Sequence, residues 1–257
     1  MPFVTLSQAV AAGLFKNIRF VATDMDGTLT WRGKFTPNLL QALENLAAAG
    51  IPVLIVTGRS AGWVSGLSSL MPVAGAIAEN GGLFYRAGCD VPVALTLIPD
   101  LAEHRHRLAQ VFNSLKVRFP RIQESVDNRF RITDWTFDVA GLTPADLQQI
   151  AGLCRQMGWG FTYSSVQCHI KPLEQDKAAA VLQVLRNDFP DYLPAQVVTV
   201  GDSPNDASLF DCATFPHSVG VANVLEYASQ LTYLPAYITA GVEAEGFCEL
   251  AHFLLSN

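Results

Sequence analysis

Charge is scarce in this chain of 257 residues: Asp, Glu, Lys and Arg together make up 16%, while half of the residues are hydrophobic. That balance excludes a self-repelling, disordered polypeptide and describes one that folds around a core. A basic excess is missing too. The formal charge of −6 argues against a partner gripped through nucleic-acid phosphates. No apolar run approaches the roughly 20 residues that span a bilayer, so no membrane partner is expected. The five cysteines (Cys89, Cys154, Cys168, Cys212 and Cys248) are odd in number and include no C-x-x-C pair. Their scatter excludes a disulfide framework or zinc ribbon and fits reduced thiols in a cytoplasmic protein. The opening MPFVTLSQAVAAGLFKN has no early positive charge, so it is read as a short helix on the first strand rather than a secretory signal. Repeats and low-complexity stretches are absent, no G-x-G-x-x-G follows a strand, and nothing marks an oligomeric state.

What is present is alternation. IRFVAT reads as a buried strand. The helix TPNLLQALENLAAAG follows, with Thr36 to cap it, Pro37 at its first position and Gly50 to stop it. PVLIVTGRS is a continuous apolar strand of parallel-sheet type, SAGWVSGLSSL a helix, and VAGAIAENGGLFYR two short strands about a glycine turn. From residue 86 the pattern changes to a helix over 100–118, an alternating strand in FRITDWTFDVAG, a helix over 144–157 and strands in WGFTYSSVQCHIKP. The charge changes with it: residues 86–170 hold nine Lys and Arg against eight Asp and Glu, the remainder eight against fifteen. After residue 172 the first pattern resumes, with the helix EQDKAAAVLQVLRND and the strand and acidic turn AQVVTVGDSPND. The fold class that follows is α/β. A Rossmann-like parallel-sheet core is expected from residues 1–85 and 171–257, with an α+β domain inserted over 86–170.

Reactive residues collect at strand ends, where open α/β sheets bind their ligands. VATDMDGTLT places Asp24 and Asp26 directly after an apolar run; the second strand ends in Thr57-Gly58-Arg59, and a later one in Gly201-Asp202, followed by Asn205 and Asp206. If these strands are neighbours, the carboxylates of Asp24 and Asp202 face one point with Thr57 beside it. Oxygen ligands without His or Cys describe a magnesium site rather than zinc. A divalent cation also explains how adjacent carboxylates stay ionised together. Taken singly, D-x-D-G or D-S-P-N-D is an ordinary turn. Three such endings on buried strands are not explained as turns.

In order and spacing, DMDGTLT, VTGRS, the lysine opening DKAAAVL, and GDSPND resemble the four motifs of the haloacid dehalogenase superfamily, over most of the core. The insertion between the second and third motifs is similar to the C2-type cap of Cof-like sugar phosphatases, a group including sucrose-phosphate and trehalose-phosphate phosphatases, and AENGG resembles a turn of that group. The resemblance implies a Mg²⁺-dependent phosphatase that hydrolyses a small phosphorylated metabolite, a sugar phosphate by preference, through an aspartyl-phosphate. It implies Asp24 as nucleophile, Asp26 as general acid and then general base, and catalytic roles for Thr57 and Lys177. Substrate contacts fall to Thr57, Gly58, Arg59, Asn80 and Lys171. Metal ligands are Asp24, Asp26 through its carbonyl, Asp202 and Asp206, with Asn205 in support. The inserted domain would hinge near residues 85 and 171, excluding water and reading the leaving group.

The other candidates read as structural. His169 has no second histidine at metal spacing. Trp135 and Trp159 are expected to pack the inserted domain, and His104, Arg105, His106 and Arg107 to form a wet helix face. Of Arg129, Arg131 and Lys171, two are expected on a solvated sheet face. The alternatives are a phosphomutase using an activating bisphosphate, a phospho-signalling receiver, and a descendant that binds a metabolite without catalysis. A receiver carries its aspartate on the third strand and has no inserted domain; no catalytic position is missing for a binding-only descendant.

Overall fold

The computed structural model describes residues 3–89 and 91–256. Its larger sheet has nine strands in the order β1-β12-β11-β10-β2-β3-β4-β5-β6. They are β1 Val4–Thr5, β2 Phe20–Thr23, β3 Val53–Val56, β4 Gly75–Ala78, β5 Leu83–Arg86, β6 Val93–Ala94, β10 Val197–Gly201, β11 His217–Gly220 and β12 Tyr237–Ile238. Pairing is parallel from β1 through β4 and antiparallel over β4-β5-β6. Alternation along the strands divides two cores: Val21, Ile55 and Val200 face α1 (Leu6–Ala11), α2 (Pro37–Ala48), α3 (Ala61–Leu70) and α7 (Glu243–Ser256), whereas Phe20, Ala22, Leu54 and Val56 face α6 (Lys177–Asp188). Burial on both faces is why these strands read as unbroken apolar runs. Helix α2 starts as its sequence dictates, with the Thr36 hydroxyl accepting the Leu39 N–H at 3.2 Å and Pro37 first.

The smaller sheet is antiparallel, in the order β7 (Trp135–Asp138), β9 (Gln167–Lys171), β8 (Gly160–Tyr163). Its outer face packs α4 (Leu101–Arg118) and α5 (Pro144–Gln156) around Phe137, Cys168 and Ile170. Because side chains alternate along β9, Gln167, His169 and Lys171 lie on the other face, toward the large sheet.

Two expectations are corrected. The composition shift at residue 86 falls at the end of β5, and β6 pairs with β5, so the large sheet runs to Ala94 and the first crossing follows it. The edge strand β6 is two residues long and exposed, which hides its strand pattern. The N-terminal segment pairs β1 with β12, three strands from β2, and brings α1 in at that edge rather than onto the strand before Asp24. Among the described residues, no helix is long and apolar enough to cross a membrane.

Candidate active site

β10, β2 and β3 are adjacent and parallel at the centre of the large sheet, so the ends carrying Asp202, Asp24 and Thr57 converge as the strand-end reading requires. Lys177 Nζ lies 2.5 Å from Asp24 Oδ1 and 2.7 Å from Asp206 Oδ1. The other oxygen of Asp206 accepts the backbone N–H groups of Asp202 and Ser203 at 3.0 and 3.1 Å. Asp202 accepts the Thr28 hydroxyl at 3.2 Å and the Asn223 amide at 3.0 Å; Asn223 is in turn set by the Glu243 N–H at the start of α7, 2.9 Å away. Carboxylate oxygens of Asp24, Asp202 and Asp206 lie within 4.8 Å of one another, and all three residues are buried. Gly27 makes the approach possible: its φ is +80°, and a Cβ there would stand 2.4 Å from Asp202 Oδ2.

Three buried carboxylates share one ammonium. Burial and the neighbouring Asp206 charge push the Asp24 carboxyl up to about 8, Lys177 pulling against them. Asp202 is raised as well, by burial and then by Asp24 and Asp206. Burial alone would strip the proton from Lys177; the two carboxylates outweigh it and hold the ammonium charged. Its place in the first turn of α6 opposes the helix dipole, so those carboxylates, not the helix, keep the cation there. The negative charge left over, presented by oxygens alone, fits a hard divalent cation. Asp24 and Asp202 are the carboxylates free to hold it, since both Asp206 oxygens are engaged by Lys177 and backbone amides.

Asp26 stands apart from this cluster. Its carboxylate takes a bidentate pair from Arg59, at 2.8 and 2.6 Å. Arg59, expected among the substrate contacts, thus occupies the residue expected to move the proton. Thr57 is buried, its Oγ1 accepting the Arg59 N–H at 3.1 Å. In AENGG, both Glu79 and Asn80 adopt left-handed backbone, φ +54° and +55°. The strain aims two side chains in different directions. Asn80 Oδ1 accepts from Asn205 at 3.1 Å, while its buried Nδ2 has no partner and lies 3.2 Å from where a Gly58 Cβ would be. Lys171 is buried, donates to the Gln175 carbonyl and lines a cleft of about 220 Å³ beside Lys177, Asn80 and Asn205.

Opposite the carboxylates stands the inner face of the small sheet. His169 Nδ1 meets Asp134 Oδ2 at 2.8 Å, and Asp134 is held by Arg131 Nη1 at 2.9 and 3.1 Å. The same Nη1 donates to the Gly58 carbonyl at 2.9 Å, joining this network to the strand-end loop. Burial would raise Asp134, but Arg131 and His169 hold it below the ordinary carboxylate range. Glu79 seats the segment: its carboxylate accepts the Ala61 N–H at 2.8 Å, and on the far side the N–H groups of Ile132 (3.0 Å) and Thr133 (2.6 Å) and the Thr133 hydroxyl (2.8 Å). The expected wet helix face is not all wet. His104 Nε2 bonds the Thr133 carbonyl, and Arg105 donates to the carbonyls of Asn128 and Asp134 while lying over Trp135. Arg131 is buried in the network rather than solvated, and Arg129 is stacked on Phe130.

Residues 21–117 match the sequence model of haloacid dehalogenase-like hydrolases. The chain is 28% identical to the phosphoglycolate phosphatase of Metallosphaera sedula over 198 residues, 75% of this chain and 81% of the relative. It is 26% identical to that of Methanothermobacter thermautotrophicus, covering 90% and 96%. Among solved structures it resembles the sucrose-phosphatase of Synechocystis, in complex with sucrose and phosphate, with a TM-score of 0.68 at 19% identity, covering 91% and 97%.

Residues that the sequence reading passed over or took as structural complete the site. Asn223 follows β11, so the strand-end rule applied to a fourth strand would have found it. His169 carried a signal in QCHIKP, where alternation puts it on the face opposite Cys168 and Ile170. Glu79 and Asp134 carried none, since each acts on partners more than 50 residues away or on a network formed only after folding.

Proposed function

We propose that this chain is a Mg²⁺-dependent phosphatase of small phosphate monoesters, with sugar phosphates as the preferred class. The observation that carries the reading is Asp24: it is paired on one oxygen with Lys177, has two further buried carboxylates beside it, and is followed two residues on by a second acid. Lys177 holds Oδ1 and leaves Oδ2 to attack phosphorus. As that bond forms, the bond from phosphorus to the ester oxygen breaks, and Asp26, which takes up a proton from solvent once Arg59 has left it, gives that proton to the departing alkoxide. Asp26, now a carboxylate, takes a proton from water; the water oxygen attacks phosphorus and the bond to Asp24 breaks, releasing phosphate. Asp24 and Asp202 would hold the metal, which would supply positive charge to offset that of the transferring phosphoryl group. The Gly58 N–H, the Thr57 hydroxyl and the unpartnered Asn80 Nδ2 donate to the same group in flight.

The Arg59–Asp26 pair describes the resting enzyme. A phosphate dianion offers the guanidinium a better partner and releases Asp26 for proton transfer. The cavity between Asp24, Asp26, Gly58 and the small sheet is about 20 Å³, room for a single water. Turnover therefore includes separation of the inserted domain, acting as a cap, from the core, about the crossings after β6 and β9.

Phosphate release from a panel of sugar phosphates, 2-phosphoglycolate and p-nitrophenyl phosphate tests the reading. Release with Mg²⁺ that stops in EDTA and in Asp24→Asn is the expected result. Release that survives in Asp24→Asn would remove the nucleophile from the scheme.

A further inference from the structure

The wall facing Asp24 across the small cavity is made by the tip of the β8–β9 hairpin, through Ser164, Val166, Gln167 and His169. An ester seated on Asp24 must press its leaving group against that wall. Most of the wall's polar atoms are already committed. The Gln167 side chain accepts from Arg131 at 2.9 Å and reaches Asp127, and the Ser164 hydroxyl oxygen accepts the N–H groups of Val166 and Gln167. His169 is different. It is 1% exposed and its Nδ1 is bound to Asp134, yet its Nε2 makes no hydrogen bond, lines the cavity and lies 3.1 Å from where a Gly58 Cβ would be.

The network fixes what that nitrogen offers. Asp134 is an ionised acceptor because Arg131 holds both of its oxygens, so the proton of the His169 ring sits on Nδ1. Burial, with Arg131 and Lys177 nearby, disfavours a second proton, and only Asp134 opposes them. Across the cavity, in the resting arrangement, Asp24 is paired with Lys177 and Asp26 with Arg59. Nε2 therefore presents a lone pair, and a lone pair can be satisfied only by a donor.

The geometry points to His169 as the residue that reads the leaving group: Nε2 accepts a hydrogen bond from a substrate hydroxyl, selecting a polyol or sugar phosphate over an ester whose leaving group ends in a carboxylate. The inference rests on the phosphatase reading and deepens it. Phosphoglycolate turns carboxylate oxygens toward this wall, where they meet a second acceptor. A hydroxyl-free leaving group of the same length leaves Nε2 buried and unpaired.

The test compares kcat/KM for glycerol 3-phosphate, n-propyl phosphate, 2-phosphoglycolate and p-nitrophenyl phosphate in the wild type, His169→Ala and His169→Gln. Ratios between substrates within one preparation cancel any loss of folded protein. The wild type should favour glycerol 3-phosphate over n-propyl phosphate by about tenfold or more. His169→Ala should bring that ratio close to one, and His169→Gln, which still carries an amide oxygen, should keep part of it. An unchanged ratio in His169→Ala, or a wild-type preference for 2-phosphoglycolate over glycerol 3-phosphate, overturns the inference. Release from p-nitrophenyl phosphate without discrimination among the alkyl esters sinks this inference and leaves the phosphatase reading standing. No release from any ester sinks both.

Discussion

The two walls of the site are built in opposite ways. The core wall takes its groups from the ends of adjacent parallel strands, where backbone register sets their positions and each group sits within a short local motif. The cap wall hangs on one relay, Gly58–Arg131–Asp134–His169: the last three meet within the inserted domain, and the Gly58 link forms only when the two sheets dock. A wall fixed by strand register suits the invariant part of a phosphoryl transfer, which is charge stabilisation. A wall fixed by side-chain contacts can be re-cut by single substitutions, which suits recognition of a leaving group.

Substitutions that strike one wall and spare the other sharpen this contrast. The largest effect is expected from Lys177→Met, which removes the ammonium shared by Asp24 and Asp206. Phosphate release at saturating Mg²⁺ should fall by about 10³-fold or more; a fall under tenfold would show that the metal alone sets Asp24. Next comes Glu79→Gln, which replaces an acceptor of backbone N–H groups with an amide that is itself half donor. Unfolding by urea should show a loss of about 3 kcal/mol, while the carboxylate cluster is untouched; an unaltered midpoint would mean the cap is seated elsewhere.

Asn223→Ala is expected to be milder. Freed of its amide partner, Asp202 should bind Mg²⁺ about 10- to 100-fold more weakly, as loss of an orienting neighbour usually does. Calorimetric titration reads this directly, and equal affinities would leave Asn223 a purely structural link to α7. The smallest effect concerns pH. Burial lowers the His169 pKa, so the folded state binds this proton less tightly than the unfolded chain. Stability from His169 is therefore present above its ordinary value of about 6.5 and lost as pH falls toward the depressed one. Glu79 runs the other way, because burial raises it and protonation favours the fold. The two separate by subtraction. The melting temperature of the wild type minus that of His169→Gln should shrink by a few degrees between pH 7.5 and 5, and a constant difference would show that His169 does not change charge in that range.

The same contrast explains what could be read in advance. The convergence of Asp24, Thr57 and Asp202 was legible because buried parallel strands announce themselves as apolar runs with these residues directly after them, whereas Lys177, at the start of a helix, was singled out by the resemblance alone. The boundary at residue 86 failed because charge composition tracks exposure, and β6 is an exposed edge that still belongs to the large sheet. Arg105 and His104 read as solvated because their acceptors are backbone carbonyls, which leave no trace in a sequence. Asp26 was read for its proton and for its carbonyl; the capture of its carboxylate by Arg59 needs the distance between two loops, which only the folded chain supplies.

β9 ends at Lys171 and α6 begins at Lys177, so five residues join the small sheet to the lysine paired with Asp24. Gln175 fastens this joint to the Glu79 carbonyl, and Asp176 caps the helix that follows. Insertions and deletions should thus be tolerated very unevenly along the second half of the chain. The β8–β9 tip can lengthen or shorten and give an enzyme with altered taste. A single residue added between Lys171 and Lys177 would turn α6 by about 100° and carry its ammonium off Asp24, so chain length is fixed most tightly where the sequence itself looks most like an ordinary loop.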